Sequence, residues 1–354
     1  MVPATFEAPD DWTEPGAYLV ADGVYRIPLP LPNDGLRAVN VYAIVQDPPP
    51  GSADTGPGLV LVDGGWTLEE SEQALVKALG TFGAGLVDIR RFLVTHAHRD
   101  HYTQAVAIRR RFGSRVALGL NEKATVERFA DPGRRALNAQ IAQLTRCGAG
   151  ELGALLKANA PAPPTGKNDW EMPDEWLDGP TRIDLGDRTL AGVPTPGHTK
   201  GHFVFIDDSA GLMFSGDHVL PHITPSIGLE AAPAALPLGS FLDSLRLVRS
   251  MPDRRMLPAH GPASPSVHAR VDELLEHHRL RLDATEAVVQ AGSDTAYAVA
   301  KILRWTRRER RFADLDLFNQ VLATSETGAH LDLLAAQGRL RRRQDDDIVR
   351  YDPA

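Results

Sequence analysis

Within seven residues, Thr95-His96-Ala97-His98-Arg99-Asp100-His101, the chain places three histidines and an aspartate directly after the strand-like run Arg91-Phe92-Leu93-Val94. Alternate residues of a strand face the same way, so His96 and His98 are expected to project together from its end. Asp100 and His101 follow on the turn where a helix can start. Two imidazoles offset from an imidazole and a carboxylate suit two neighbouring borderline-soft divalent ions, each taking N and O ligands. The plain alternative is a polar loop with chance histidines in a chain holding 12 of them. The downstream sequence argues against it.

Three later segments repeat one design. Thr195-Pro196-Gly197-His198-Thr199 follows Leu190-Ala191-Gly192-Val193, Phe214-Ser215-Gly216-Asp217 follows Gly211-Leu212-Met213, and Met256-Leu257-Pro258-Ala259-His260-Gly261 closes the series. Each is a short apolar run ending in a ligand-type residue beside Gly or Pro. Rigid strands present fixed side chains onto edge loops in this way.

The order His-x-His-x-Asp-His, then His, then Asp, then His resembles the metallo-beta-lactamase superfamily over about residues 15 to 265. The resemblance implies that His96, His98 and His198 hold one divalent ion. Asp100, His101 and His260 would hold a second, and Asp217 would bridge the two. It gives Asp63, in Leu61-Val62-Asp63-Gly64-Gly65, a structural role near the metal-binding loop. Zinc is the expected metal, with iron or manganese as alternatives. Two such ions sharing a water lower its pKa enough to supply a bridging hydroxide near neutral pH. Asp100 is the expected catalytic group, orienting that nucleophile or accepting its proton. Tyr102 and His222 are candidate substrate contacts.

Composition fits a globular enzyme. The 354 residues are 43% hydrophobic and 24% charged, enough for one large domain and a small one. A net charge of -8 disfavours nucleic-acid or membrane binding by bulk electrostatics. The single Cys147 excludes an intrachain disulfide and reads as a packing or surface residue. The opening residues Met1-Val2-Pro3-Ala4-Thr5-Phe6-Glu7 show neither a basic nor an apolar leader region, so a cytoplasmic location is expected.

The elements that must position the ligands are strands at Gly23–Ile27, Val39–Val45 and Gly58–Asp63, then amphipathic helices at Thr67–Leu79 and Asp100–Phe112. A turn is expected at Pro48-Pro49-Pro50-Gly51. The run Arg109-Arg110-Arg111 reads as a solvated helix end. The family resemblance turns this α+β pattern into an αββα sandwich with the metals at one edge, filling residues 1–277. Within it, residues 121–180 form a helical insertion with Ala160-Pro161-Ala162-Pro163-Pro164, Trp170 and Trp176. It is either a surface insertion or a lid.

Residues 278–354 change character. Helices over Val271–Gln290, Thr295–Trp305 and Phe318–Gly338 precede a charged hairpin, which reads as a winged-helix-like domain resembling that of the beta-lactamase-like protein 2 subgroup. His277 and His278 are expected to be exposed. Arginines cluster at Arg304, Arg307, Arg308, Arg310 and Arg311, and again at Arg339 and Arg341 to Arg343. Yet from His278 onward 13 Lys or Arg face 12 Asp or Glu, leaving +1. A phosphate-backbone binder usually shows a larger imbalance, so a solvated or homo-oligomer contact face is favoured over nucleic acid. The favoured activity is hydrolysis of a small-molecule carboxylic ester or thioester. Phosphodiester or single-strand RNA cleavage and iron-dependent redox chemistry are the alternatives.

Overall fold

The computed structural model describes residues 10–46, 58–131, 136–159, 169–230 and 232–354. The expected Pro48–Gly51 turn, the opening seven residues and the 160–164 proline run lie outside them.

Two sheets face each other. The first has seven strands in the order β1 (Tyr18–Ala21), β2 (Val24–Pro30), β3 (Ala38–Gln46), β4 (Gly58–Val62), β5 (Ile89–Leu93), β6 (Arg115–Gly119) and β7 (Glu175–Leu177). The second runs β12 (Arg255–Pro258), β11 (Leu212–Gly216), β10 (Phe203–Asp207), β9 (Thr189–Pro194) and β8 (Thr181–Asp184). Their facing sides meet through Tyr42, Ile44, Val60 and Val62 from one sheet and Phe203, Phe205, Phe214 and Leu257 from the other. Burial on both faces explains why β4 reads as an unbroken apolar run rather than an alternating one.

Helices cover both outer faces. α1 (Glu69–Gly80) and α2 (Arg99–Phe112) pack on the first sheet through Leu75, Leu79, Tyr102 and Val106. α2 ends where Gly113 turns left-handed at φ 80°, a conformation glycine adopts without a Cβ penalty. On the second sheet, α6 (Pro237–Ser250) and α7 (Val267–Gln290) bury Phe241, Leu245, Val271 and Leu274 against Val204 and Met213. The architecture is an αββα sandwich.

The expected boundary at 277/278 falls inside α7, which runs on unbroken. After it come α8 (Ala296–Ile302), α9 (Leu317–Ala336) and the antiparallel ribbon β13 (Leu340–Asp345) with β14 (Ile348–Pro353). α9 packs on both α6 and α7, and its Leu331 and Leu334 share one core with the second sheet's outer layer. The C-terminal module is therefore fused to the sandwich through a common apolar layer. The same contact corrects the reading of His278. It lies on the stripe Val271, Leu274, His278, Leu282, Thr285, Val289 and is fully buried, while His277 is exposed.

The stretch 121–180 is also built in. α3 (Lys123–Ala130), α4 (Ala136–Arg146) and α5 (Gly150–Ala158) follow β6, and α4 and α5 pack on α9. Trp170 stacks on Phe129 at 4.4 Å, and Trp176 lies in β7, paired with β6. Arg109 and Arg110, expected to be solvated, instead form ion pairs with Asp169, Glu171 and Asp174 at 2.5 to 3.3 Å. These four ion pairs hold residues 169–174 to α2, and β7 extends the first sheet at its edge. Cys147 is buried and its thiol is pushed up to about 12 by that burial, as suits a packing residue.

Candidate metal centre

β5 stops at Leu93, so His96 and His98 stand on the loop into α2 rather than on the strand. His198 follows β9, Asp217 follows β11 and His260 follows β12. Parallel pairing of β11 with β12 brings the last two loops side by side. Two glycines make this crowding feasible. A Cβ on Gly197 (φ 143°) would lie 2.4 Å from Phe241, and one on Gly216 (φ 50°) would lie 2.7 Å from His202. Both carry positive φ, so a side chain there would be strained as well as crowded.

Seven side chains converge. His96, His98, His198 and Asp217 form one group of potential ligand atoms within 4.8 Å, and Asp100, His101 and His260 form another. Asp217 faces both. Its Oδ2 is 3.4 Å from His198 Nε2, while Oδ1 is 3.7 Å from His101 Nε2 and 3.5 Å from His260 Nε2. Asp100 Oδ2 lies 3.4 Å from His260 Nε2 and 3.6 Å from His101 Nε2.

The hydrogen bonds around the rings decide which nitrogen carries the lone pair. His198 Nδ1–H donates to the Ser226 carbonyl and His260 Nδ1–H to the Ala38 carbonyl, each at 2.8 Å. His101 Nδ1–H donates to Asp63 Oδ2 at 2.9 Å. The Thr95 hydroxyl gives its one proton to Asp63, so His96 Nδ1–H donates to Thr95 Oγ1 at 3.0 Å. In all four rings Nε2 is left with its lone pair turned inward, the arrangement by which outer partners orient metal-binding imidazoles. His98 turns Nδ1 inward instead, 2.9 Å from His96 Nε2 and 3.2 Å from His198 Nε2. His101 Nε2, His260 Nε2 and Asp217 Oδ1 are buried without a hydrogen-bond partner. Buried polar atoms aimed at one another in this way are costly unless something cationic lies between them. The donor set, imidazole nitrogens with carboxylate oxygens, fits borderline divalent ions.

The electrostatics agree. Burial, reinforced by neighbouring rings, pushes His96 well below its ordinary value and His98 down to about 3, so both are neutral, the ligand form. Burial also opposes charge on His101, but Asp63, Asp100 and Asp217 outweigh it and raise that ring to about 10. Although burial favours the neutral acid, His101 and His260 hold the Asp100 carboxyl below the usual carboxylate range. This corner is rich in negative charge, as a cation site requires.

Some sequence expectations land elsewhere. Tyr102 is fully buried in the core beneath α2, its hydroxyl donating to the Glu171 carbonyl. Adjacent residues on a helix diverge, so His101 and Tyr102 cannot both face the metals. His222 is exposed and belongs to neither ligand group among the described residues. His218 is buried between His202 and Phe241, at ring-centroid distances of 6.1 and 5.2 Å.

Three supporting residues carried no recognised signal. His202 receives the Asp217 amide N–H at 3.1 Å and pins the loop that presents that carboxylate. Glu122 accepts from the Thr199 hydroxyl and, at 3.2 Å, from the Gly201 N–H; Glu230 accepts from the Lys200 N–H at 3.1 Å. Burial pushes Glu122 up to about 7, and burial with the nearby Glu122 pushes Glu230 up to about 8. Together they clamp the turn after His198.

Comparison with known proteins agrees with this geometry. Residues 34–260, ending on His260, match the family described as the metallo-beta-lactamase superfamily. The chain belongs to that superfamily. Residues 282–354 match a metallo-beta-lactamase-like C-terminal domain. The chain is 25% identical over 296 residues to the probable metallo-hydrolase YqjP of Bacillus subtilis, covering 80% of this chain and 86% of that one. It is 25% identical over 159 residues to the beta-lactamase-like protein 2 homolog of Caenorhabditis elegans, 45% of each chain. A beta-lactamase domain protein from Burkholderia ambifaria has a similar structure, with a TM-score of 0.76 and 26% identity over 98% of this chain and 97% of that one. This superfamily member carries a His/Asp cluster that could hold metal ions. Among the described residues no helix is long and apolar enough to cross a membrane.

Proposed function

We propose that the chain hydrolyses a small-molecule carboxylic ester or thioester at a binuclear centre, with zinc as the working metal and the cytoplasm as its site of action. His96, His98 and His198 would hold one ion, Asp100, His101 and His260 the other, with Asp217 between them. Two such ions would supply an activated water at neutral pH and polarise the substrate carbonyl. The chain's own contribution is positional. Nδ1 hydrogen bonds fix four rings, Asp63 fixes His101, and His202 fixes Asp217. Asp100, held ionised at the open edge, is placed to orient the nucleophile or take its proton.

The observation that carries the binuclear reading is the split of Asp217, one oxygen toward His198 and the other toward His101 and His260. The choice of an ester over a phosphodiester rests on four arginines in and beside the C-terminal hairpin. Arg339 is paired with Asp283 and Glu286, Arg342 with Asp332, Arg343 with Asp294 and Asp352, and Arg350 with Asp294 and Asp345. Arginines occupied by their own acids offer little counterion release to a phosphate backbone. A panel of thioester, lactone and phosphodiester substrates tests the reading on zinc-loaded protein. Turnover of the first two classes above the third is expected; preferential cleavage of single-stranded RNA would overturn it.

A further inference from the structure

Of the candidate ligands, the three histidines of the first ion stand on two loops, His96 and His98 before α2 and His198 after β9. One buried acid outside the ligand set bears on both loops. Glu122 lies at the turn between β6 and α3 and is fully buried. Its Oε1 accepts from the Thr199 hydroxyl and, at 3.2 Å, from the Gly201 N–H, so it grips the turn that starts directly after His198. The Ala97 N–H, between His96 and His98, lies close enough to favour charge on the same carboxyl.

The backbone is shaped for this contact. A Cβ on Gly119, the last residue of β6, would lie 2.1 Å from the Gly201 carbonyl oxygen, and one on Gly201 would lie 2.5 Å from the Glu122 nitrogen. Glycine at both positions lets the end of a rigid strand touch the ligand-bearing turn. Thr199 and Gly201 are buried, and a buried donor stripped of its acceptor is costly enough to shift its loop. The second ligand group is tied back elsewhere, His101 to Asp63 and His260 to the Ala38 carbonyl. No donor to the Glu122 carboxyl among the described residues adjoins Asp100, His101 or His260.

We propose that Glu122 is the positioning residue of the first ion's site. By holding the 199–201 turn against the end of β6, it fixes His198 opposite His96 and His98. It thereby sets the affinity for that ion and not for the one at Asp100, His101 and His260. A ligand already in place when the metal arrives spares the binding step the ordering of its loop. The inference deepens the binuclear reading and rests on it, and the wild-type protein tests that reading by itself.

The test is competition for zinc between the full-length protein and a fluorescent chelator, which resolves a tighter and a weaker ion. Glu122→Ala should lower the affinity for one ion by at least about tenfold, the scale expected of a residue that orients metal ligands, and leave the other within about threefold. In a His260→Ala background, where the first site remains, Glu122→Ala should cost the same factor. In a His98→Ala background, where the second site remains, it should cost nothing. Glu122→Gln keeps an acceptor oxygen and should keep most of the affinity, while Thr199→Val removes the hydroxyl alone and should show part of the loss. If Glu122→Ala does not fold, Thr199→Val in the two single-site backgrounds decides. Equal losses at both sites, or none, would overturn the proposal with the binuclear centre intact. A wild type that binds one ion refutes the binuclear reading, and the proposal then stands only if Glu122→Ala weakens that ion. A wild type that binds no zinc overturns both.

Discussion

Among the described residues, the histidines at the sheet edge form a ligand site, and the buried pair His278 and His330 does not. At the sheet edge, five rings meet Asp100 and Asp217, and four of them have Nδ1 tied back so that Nε2 points inward. In the C-terminal layer, His278 and His330 are equally buried, with ring centroids 5.4 Å apart. There His330 Nδ1–H donates to the Glu326 carbonyl, and its Nε2 faces His278 Nδ1 at 3.3 Å. These two rings thus face only each other, whereas the rings at the sheet edge also face Asp100 and Asp217. No carboxylate joins them in a ligand group among the described residues. Burial pushes His278 well below its ordinary value and His330 down to about 3. Buried imidazole alone makes a packing residue. A metal site needs convergent lone pairs with carboxylates opposite, and outer partners to hold them.

Asp63→Asn gives the largest of three separations between these regions. It weakens the acceptor of His101 Nδ1–H and of the Thr95 hydroxyl and N–H. Metal affinity should fall by roughly 10–100-fold, as for other supporting partners, while the fold is kept. Competition with a chelator reads this directly, and an unchanged affinity would show that His101 does not depend on Asp63.

Glu122→Gln is expected to act on stability. The folded-state pKa of Glu122 is raised by burial to about 7 from 4.5. Its neutral form therefore contributes stability that is fully present below the unfolded value and lost as pH rises through about 7. Over that window wild type should lose on the order of 3 kcal/mol relative to Glu122→Gln, which has no charge to bury. Thermal melts at about pH 5 and about pH 8 should show the variant gaining on wild type at the higher pH. A gap that narrows as pH rises would contradict a raised Glu122.

The smallest effect is expected at His278→Leu. Metal content should not change, and stability should move by about 1–2 kcal/mol or less in either direction. Loss of metal from this variant would erase the distinction between the two histidine sets.

Much of the centre was legible because five of the seven ligands stand on loops just after strands and Asp100 and His101 open α2, so their positions are written in local pattern. The partners that orient the rings were not. Ser226 and Ala38 act through backbone carbonyls, which leave no trace in residue type. Glu122 and Glu230 lie 76 and 32 residues from His198 in sequence, and their role depends on how the chain brings them back to the turn after it. His278 could have been placed correctly, since it continues the apolar spacing of Val271 and Leu274. Adjacent residues diverge around a helix, which bars His277 and His278 from one shared face, and α9 packing on α7 covers the face that carries His278. Tyr102 fails as a substrate contact for a similar reason, since helix geometry turns it away from His101 and into the core.

Metal stoichiometry tests the binuclear centre most directly. Elemental analysis of chelator-free protein after zinc supplementation, beside the Asp217→Ala variant, should give about two ions per chain for wild type and a clear loss for the variant with the fold retained. A wild-type content that stays below about one ion per chain, or a variant that retains both ions, would contradict it.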